Sequence, residues 1–256
     1  MNYQQRLQRF IELANEGKSK NEIAEIIGVN RRAVLDYEKK TGIKTVKLVR
    51  KPNFNYHYFD EIETEEKAYI LGFIFADGYF ESNERCLTFN INKRDIDLFD
   101  KIRDELLFKG EYAKSSTKNC IRLHLSSIHT VSAFKKHGLS RNKTHKLKMP
   151  VLREDLYKHF LRGYFDGDGH VGKRQCALVI GSKDFLDGFL SFMQSKFNNK
   201  IYFQKMNKYY RVQFNRRDHN IIDWLYEGAN ISLDRKMKSY VDNWEKIGRA
   251  SCRERV

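Results

Sequence analysis

Two stretches of nine residues decide the reading: Ile70-Leu71-Gly72-Phe73-Ile74-Phe75-Ala76-Asp77-Gly78 and Leu161-Arg162-Gly163-Tyr164-Phe165-Asp166-Gly167-Asp168-Gly169. Each reads as an apolar helix closed by Asp-Gly, with a glycine at the third position, and the two Asp-Gly steps stand 91 residues apart. A lone Asp-Gly is a common turn dipeptide and says little. Self-similarity at a fixed separation marks a duplicated architecture, which constrains a fold more than local propensity does. The likeness continues downstream. Cys86–Asn92 followed by Lys93 and Asp95 matches Cys176–Ser182 followed by Lys183 and Asp184, in each case a strand leading into a capped helix. Ile121-Arg122-Leu123 parallels Tyr210-Arg211-Val212, 45 and 43 residues after the respective aspartate. Asn142-Lys143 and Arg235-Lys236 close the copies, their lysines 66 and 68 residues beyond Asp77 and Asp168.

These paired nonapeptides resemble the LAGLIDADG motif, and the stretch from about Thr64 to Trp244 is similar to a two-motif homing endonuclease. The resemblance implies an α+β fold: a pseudo-two-fold pair of αββαββα half-domains, residues 64–149 and 150–246, forming a DNA-binding saddle. Phe75 replaces the first aspartate of the motif in the first copy, and Arg162 takes the second position of the second copy. The last aspartate survives in both. The resemblance does not extend to an intein, since the chain begins at Met1 and carries no terminal His-Asn pair. A free-standing or intron-encoded protein is expected.

In this family the motif helices pack side by side, which would bring Asp77 and Asp168 together. Two adjoining carboxylates repel unless a positive charge lies between them, and a divalent cation supplies it. Hard oxygen ligands favour Mg²⁺, with Mn²⁺ a possible substitute, and the backbone carbonyls of Ala76 and Gly167 are further ligands by resemblance. The chemistry implied is in-line hydrolysis of phosphodiester bonds. Lys143 and Lys236 would stabilise the developing phosphorane charge, or merely neutralise a backbone phosphate.

The strands alternate in the manner of a half-buried sheet, with Ile121, Leu123 and Leu125 inward and Arg122, His124 and Ser126 outward. In the second copy Tyr210, Val212 and Phe214 face the core while Arg211, Gln213 and Asn215 face out. Asn90 and Asn92 share the outward face with Thr88. Arginine suits guanine, and asparagine or glutamine suits adenine, in a major groove. Asn90, Asn92, Arg122, His124, Arg211, Gln213 and Asn215 are therefore the candidate DNA-contacting residues of the sheets.

Residues 1–45 read as a small all-α domain. Leu7, Phe10, Ile11 and Ala14 recur at helical spacing before Gly17. Ser19 with Glu22 forms a capping-box pattern ahead of Ile23, Ala24, Ile26 and Ile27, and Gly28 stops that helix. Asn30 caps a third helix that opens with Arg31 and Arg32. A short helix, a Gly-containing turn and a basic-started helix is the helix-turn-helix arrangement, which makes Asn30, Arg31 and Arg32 candidate DNA contacts. Residues 46–63, basic and aromatic without periodicity, read as a linker.

Composition points the same way. With 48 Lys+Arg against 33 Asp+Glu the net charge is +15, which concentrates polyanions around the protein. The longest apolar run, Ala68 to Ala76, falls far short of the roughly 20 residues that span a bilayer, and no signal-peptide core is evident. A cytoplasmic monomer acting on double-stranded DNA without a membrane partner is expected. Four dispersed cysteines, Cys86, Cys120, Cys176 and Cys252, contain no CxxC pair and exclude a zinc ribbon or a dense disulfide framework. Two other functions share the same features: a DNA-binding regulator on this scaffold that does not cut, and an intron maturase acting on RNA. Residues 247–256 break from the repeat and read as a non-native tail.

Overall fold

A computed structural model of the chain describes residues 1–45, 53–114 and 119–245. The expected tail at 247–256 and the first part of the expected linker, 46–52, lie outside these. The chain divides into two compact units, Met1–Lys51 and Pro52–Val256.

In the first unit α1 (Tyr3–Asn15), α2 (Lys20–Ile27) and α3 (Arg31–Thr41) enclose a small core of Phe10, Leu13, Ala14, Ile23, Ile27, Val34 and Tyr37. Their starts are fixed locally. The side chains of Asn2, Ser19 and Asn30 accept from the backbone N–H groups of Gln5, Glu22 and Ala33, and Gln5 and Glu22 reach back to complete two capping boxes. Gly28 ends α2 at φ 70°, a left-handed conformation that costs glycine little, so that α3 begins within three residues. Inside this unit Glu38 is buried, paired with the Lys20 ammonium at 2.8 Å and accepting from Thr45 N and Oγ1 at 2.9 and 2.7 Å.

The second unit is built twice. The first copy runs α4 (Glu65–Asp77), β1 (Tyr79–Phe80), β2 (Cys86–Asn92), α5 (Ile96–Glu105), β3 (Ala113–Lys114), β4 (Cys120–Ser126) and α6 (Ile128–Lys136). The second runs α7 (Tyr157–Asp168), β5 (Gly169–Val171), β6 (Gln175–Ile180), α8 (Lys183–Lys196), β7 (Tyr202–Lys205), β8 (Tyr210–Asn215) and α9 (His219–Tyr226), followed by α10 (Asp234–Tyr240). Each copy is αββαββα. Each forms a four-stranded antiparallel sheet, ordered β1-β2-β4-β3 and β5-β6-β8-β7, with the long strands at the centre. The inward positions fall as alternation predicts: Leu87, Phe89, Ile91, Ile121, Leu123 and Leu125 from one sheet and Val212 and Phe214 from the other join a single continuous core. The strand expected at Cys176–Ser182 instead spans Gln175–Ile180, because Ser182 is the N-terminal flanking residue of α8.

The expected linker is the chief departure. From residue 53 the chain is part of the first copy, with Phe54, Tyr58 and Phe59 buried in its core and Phe59 packed on Phe134 at 4.4 Å between ring centroids. Aromatic side chains carry enough apolar area to order a turn-rich segment that has no periodicity to reveal it.

The centre of the unit is the contact between α4 and α7. A Cβ placed on Gly72 would lie 1.9 Å from the Phe160 carbonyl oxygen, and one on Gly163 would lie 2.0 Å from that of Tyr69. Backbone meets backbone at both points, so no side chain can move aside to make room.

Gly72→Ala or Gly163→Ala should therefore force the helices apart and cost about 3 kcal/mol or more, at the upper end of overpacking penalties; urea denaturation of each variant measures it. A second expectation concerns the first unit. Burial alone would push the Glu38 carboxyl up, but the Lys20 ammonium and the two Thr45 hydrogen bonds outweigh it and hold the group at about 2, below its ordinary 4.5. Its contribution to stability is thus fully present above pH 4.5 and lost as pH falls from there toward 2. In Glu38→Gln that acid-limb loss should shrink, as followed by thermal unfolding of the first unit between pH 2 and 6.

Candidate functional site at the paired helix ends

Because α4 and α7 touch at their glycines, their C-terminal ends arrive together. The Gly167 backbone lies against this junction: a Cβ built there would be 2.3 Å from the Ala76 Cβ and 3.4 Å from Asp77 Oδ2. Asp77 and Asp168 are the last residues of the two helices. Two helix C-termini, each the negative end of a macrodipole, and two carboxylates thus share one place.

Their electrostatics show the strain of that arrangement. Burial pushes the Asp77 carboxyl up, opposed by the ammonium groups of Lys143 and Lys236. Asp168 is pushed up to about 6, first by burial and then by the charge of Asp77 beside it, with both lysines and the Tyr164 hydroxyl opposing.

The lysines themselves are placed by a device the sequence did not reveal. Lys143 Nζ donates to the carbonyls of Ile74, Phe75 and Ala76 at 2.9, 2.6 and 2.8 Å. Lys236 Nζ donates to Phe165, Asp166 and Gly167 at 2.8, 2.7 and 3.3 Å. An ammonium has three N–H donors, and here all three are spent on carbonyls of a helix's last turn, two of which, those of Ile74 and Phe165, also accept from the Gly78 and Gly169 N–H groups. Each lysine is therefore a charged C-terminal cap. Burial pushes both down to about 8, with Asp168 and Asp77 opposing at Lys143 and Asp166 opposing most at Lys236. Contact of either lysine with a phosphate requires one of these bonds to give way. The Ala76 and Gly167 carbonyls, expected as metal ligands, already accept from the lysines but keep a second lone pair.

A second buried cluster, also absent from the sequence reading, supports the site from behind. Arg162 is fully buried: Nε donates to the Ile231 carbonyl at 2.9 Å, one terminal nitrogen to the Leu225 carbonyl at 3.1 Å, and the other pairs with Glu65. Asp166 accepts from the Tyr69 hydroxyl at 2.8 Å, the Tyr226 hydroxyl at 2.6 Å and Leu233 N at 2.7 Å. Leu233 directly precedes α10, which carries Lys236, so Asp166 fixes the segment that delivers the lysine. Only the unusual residue type at one motif position, Arg162, could have signalled this.

The candidate contacts on the sheets lie on one face of each. Arg122 and Asn90 are cross-strand partners, joined from Nε to Oδ1 at 3.2 Å. His124 meets Glu81 at 3.0 Å, and these two cover Thr88, which is buried despite its outward position. Asn92 accepts from Arg94 N and so caps the short turn after β2. In the second sheet Arg211, Gln213 and Asn215 are all half-buried. Their register adds two residues not anticipated, since Gln204 pairs with Arg211 and exposed Tyr202 with Gln213. Asn30, Arg31 and Arg32 open α3 in the first unit, all exposed.

Arg162→Met should destabilise the second unit by about 3 kcal/mol, because it leaves the buried Ile231 and Leu225 carbonyls without their donor and takes from Glu65 its arginine, leaving that carboxylate only Asn230 and His159. Arg162→Lys should recover little of that, as a point charge cannot serve three separated acceptors. Urea unfolding of the two variants checks both.

Comparison with known proteins locates this architecture. Residues 155–220 match the family model described as LAGLIDADG-like domain. The replication factor C small subunit of Methanocaldococcus jannaschii is 26% identical over 226 residues, 83% of this chain but 12% of that protein. The chain spans from 7% to 60% of the length of the curated relatives it matches. Among solved structures, the LAGLIDADG meganuclease I-AabMI, bound to uncleaved DNA, superposes with a TM-score of 0.51 at 13% identity over 73% of this chain and 91% of that one. Full-length DUF199/WhiA from Thermatoga maritima gives 0.51 at 14% identity, over 78% of this chain and 66% of that one. Among the described residues no helix is long and apolar enough to cross a membrane. The chain has the LAGLIDADG fold, with a LAGLIDADG-like domain in its second copy.

Proposed function

We propose that the chain is a divalent-metal-dependent endonuclease that hydrolyses both strands of double-stranded DNA at a long asymmetric site, acting as a monomer. The observation that carries this reading is the pair Asp77 and Asp168, which meet at two converging helix ends with Asp77 exposed to solvent and Asp168 half-buried. All the donors on offer are hard oxygens, which suits Mg²⁺ or Mn²⁺. Such an ion, held by Asp77 and Asp168 with the Ala76 and Gly167 carbonyls in reach, would supply the charge that activates water and steadies the leaving oxygen.

The chain's own residues do the remainder. Lys143 and Lys236 neutralise the helix ends and lock the two carboxylates in place. Arg122, Asn90, His124, Arg211, Gln213 and Tyr202 offer donors, acceptors and a ring along the outward sheet faces to a duplex. The net charge of +15 supplies the sequence-independent attraction. In the first unit, Asn30, Arg31 and Arg32 at the start of α3 would extend contact as a helix-turn-helix. The DNA carried by the I-AabMI structure supports this assignment of partner.

The WhiA likeness favours one second reading, a protein of the same fold that binds DNA without cutting it. Retention of both aspartates argues for cleavage, because a scaffold that only binds has no use for two mutually repelling carboxylates at the junction of the helix ends.

Asp77→Asn and Asp168→Asn should each abolish cleavage, assayed with Mg²⁺ on DNA from the protein's genomic neighbourhood lacking the intervening element. DNA affinity in a gel-shift titration should stay within about tenfold of wild type, because the amide keeps the shape and loses the charge. Undiminished cutting by both variants overturns the assignment of the carboxylates. DNA binding by the wild type with no cutting in Mg²⁺ or Mn²⁺ favours the second reading.

A further inference from the structure

The turn segment that enters the first copy and the start of α6 meet at a cluster that the site above does not use. His57 Nδ1 lies 2.7 Å from Asp60 Oδ2, and His129 Nε2 lies 2.6 Å from Asp60 Oδ1. The two imidazoles stand edge to face with centroids 4.4 Å apart. All three donor atoms fall within 4.8 Å of one another at the surface, where an ion can reach them.

We propose that His57, Asp60 and His129 form a zinc site that clips the segment around residues 53–60 to α6. Two imidazole nitrogens and a carboxylate are a donor set suited to Zn²⁺, and a water would complete four-coordination. Tetrahedral ligands about 2.0–2.1 Å from an ion sit roughly 3.3 Å apart. The observed separations from Asp60, 2.7 and 2.6 Å, are shorter by about 0.6–0.7 Å, a spread that rotation of exposed side chains supplies.

The site is organised by contacts that owe nothing to an ion. Phe59 packs on Phe134, Thr130 Oγ1 donates to the Tyr56 carbonyl at 3.2 Å, and the His137 ring donates from Nε2 to the Phe59 carbonyl at 2.9 Å. These fix the two backbones that carry the ligands, so binding does not have to order the chain. Asp60 and His129 are 69 residues apart in sequence, and the clip would close that long loop.

Isothermal titration of the chelator-stripped full chain with Zn²⁺ tests this, beside His57→Ala, His129→Gln and Asp60→Asn. One ion per wild-type chain is expected, with affinity lowered in each variant by more than the roughly 10–100-fold typical of losing a ligand's hydrogen-bonding partner. Co²⁺ in place of zinc should give the visible bands of a four-coordinate ion without a thiolate charge-transfer band. Three results overturn the proposal: no zinc uptake by wild type; uptake unchanged in both histidine variants; or a thiolate band, which would put the ion at Glu81, Cys86 and His124, whose donor atoms also lie within 4.8 Å of one another. Because both histidines are exposed, circular dichroism of each variant should match wild type; if a variant is unfolded, the cobalt spectrum of wild type decides.

Discussion

The backbone contacts at two glycines, Gly72 against Phe160 and Gly163 against Tyr69, are the constraint from which the rest of the second unit follows. Two helices whose main chains touch cannot slide or rotate freely, so their ends arrive in register and everything attached to those ends is placed. The sheets hang from this axis, the first joined to its helix through Gly78 alone and the second running from Asp168 directly into the strand at Gly169. Side-chain packing alone would leave room for adjustment, because flexible atoms yield at modest cost. Carbonyl oxygens about 2 Å from where a Cβ would stand do not yield.

Convergence has an electrostatic cost, which the fold meets internally. Bringing two helix C-termini together concentrates unpaired carbonyls and negative charge at one point, and burial removes the water that would otherwise solvate them. Lys143 and Lys236 answer both difficulties at once, satisfying three carbonyls each while adding one positive charge each. They leave the carboxylates of Asp77 and Asp168 themselves without a full complement. The meeting of two carboxylates at one solvent-reachable junction, and not the presence of acidic residues as such, makes the site suited to a cation.

Much of this was legible in the sequence. The duplication exposed the two motif helices, the paired aspartates and the strands Cys86–Asn92 and Cys120–Ser126, because period-2 and helical patterns are local and survive in a single chain. The lysines were legible as positions but not as caps, since their acceptors lie 67 to 71 residues away and become neighbours only after folding. The segment around Phe54, Tyr58 and Phe59 was misread as linker because turns bury aromatics without a repeat. Strand β7 was overlooked for a related reason: Tyr202–Lys205 is exposed throughout, so no apolar alternation marks it. Sequence reports periodic burial well and aperiodic or polar burial badly.

The buried polar cluster shows where the two copies stopped being interchangeable. Arg162 and Asp166 occupy positions held in the first copy by Leu71 and Phe75, both buried and apolar. Their cross-helix partners, Glu65 and Tyr69, correspond to Leu156 and Phe160 in the second copy. If two second copies were to pair through their motif helices, Arg162 would face Leu156 and Asp166 would face Phe160. Each such duplex would leave two buried Arg162 guanidiniums without their Glu65 carboxylates, a penalty of several kcal/mol each, and would take the Tyr69 hydroxyl from each Asp166, which keeps Tyr226 and Leu233. A pair of first copies would instead leave two Glu65 carboxylates facing Leu71 without Arg162. The polar residues at these motif positions therefore specify that the first copy pairs with the second. That pairing gives a site with two unequal halves, in which one helix end is anchored through Asp166 and the other is not.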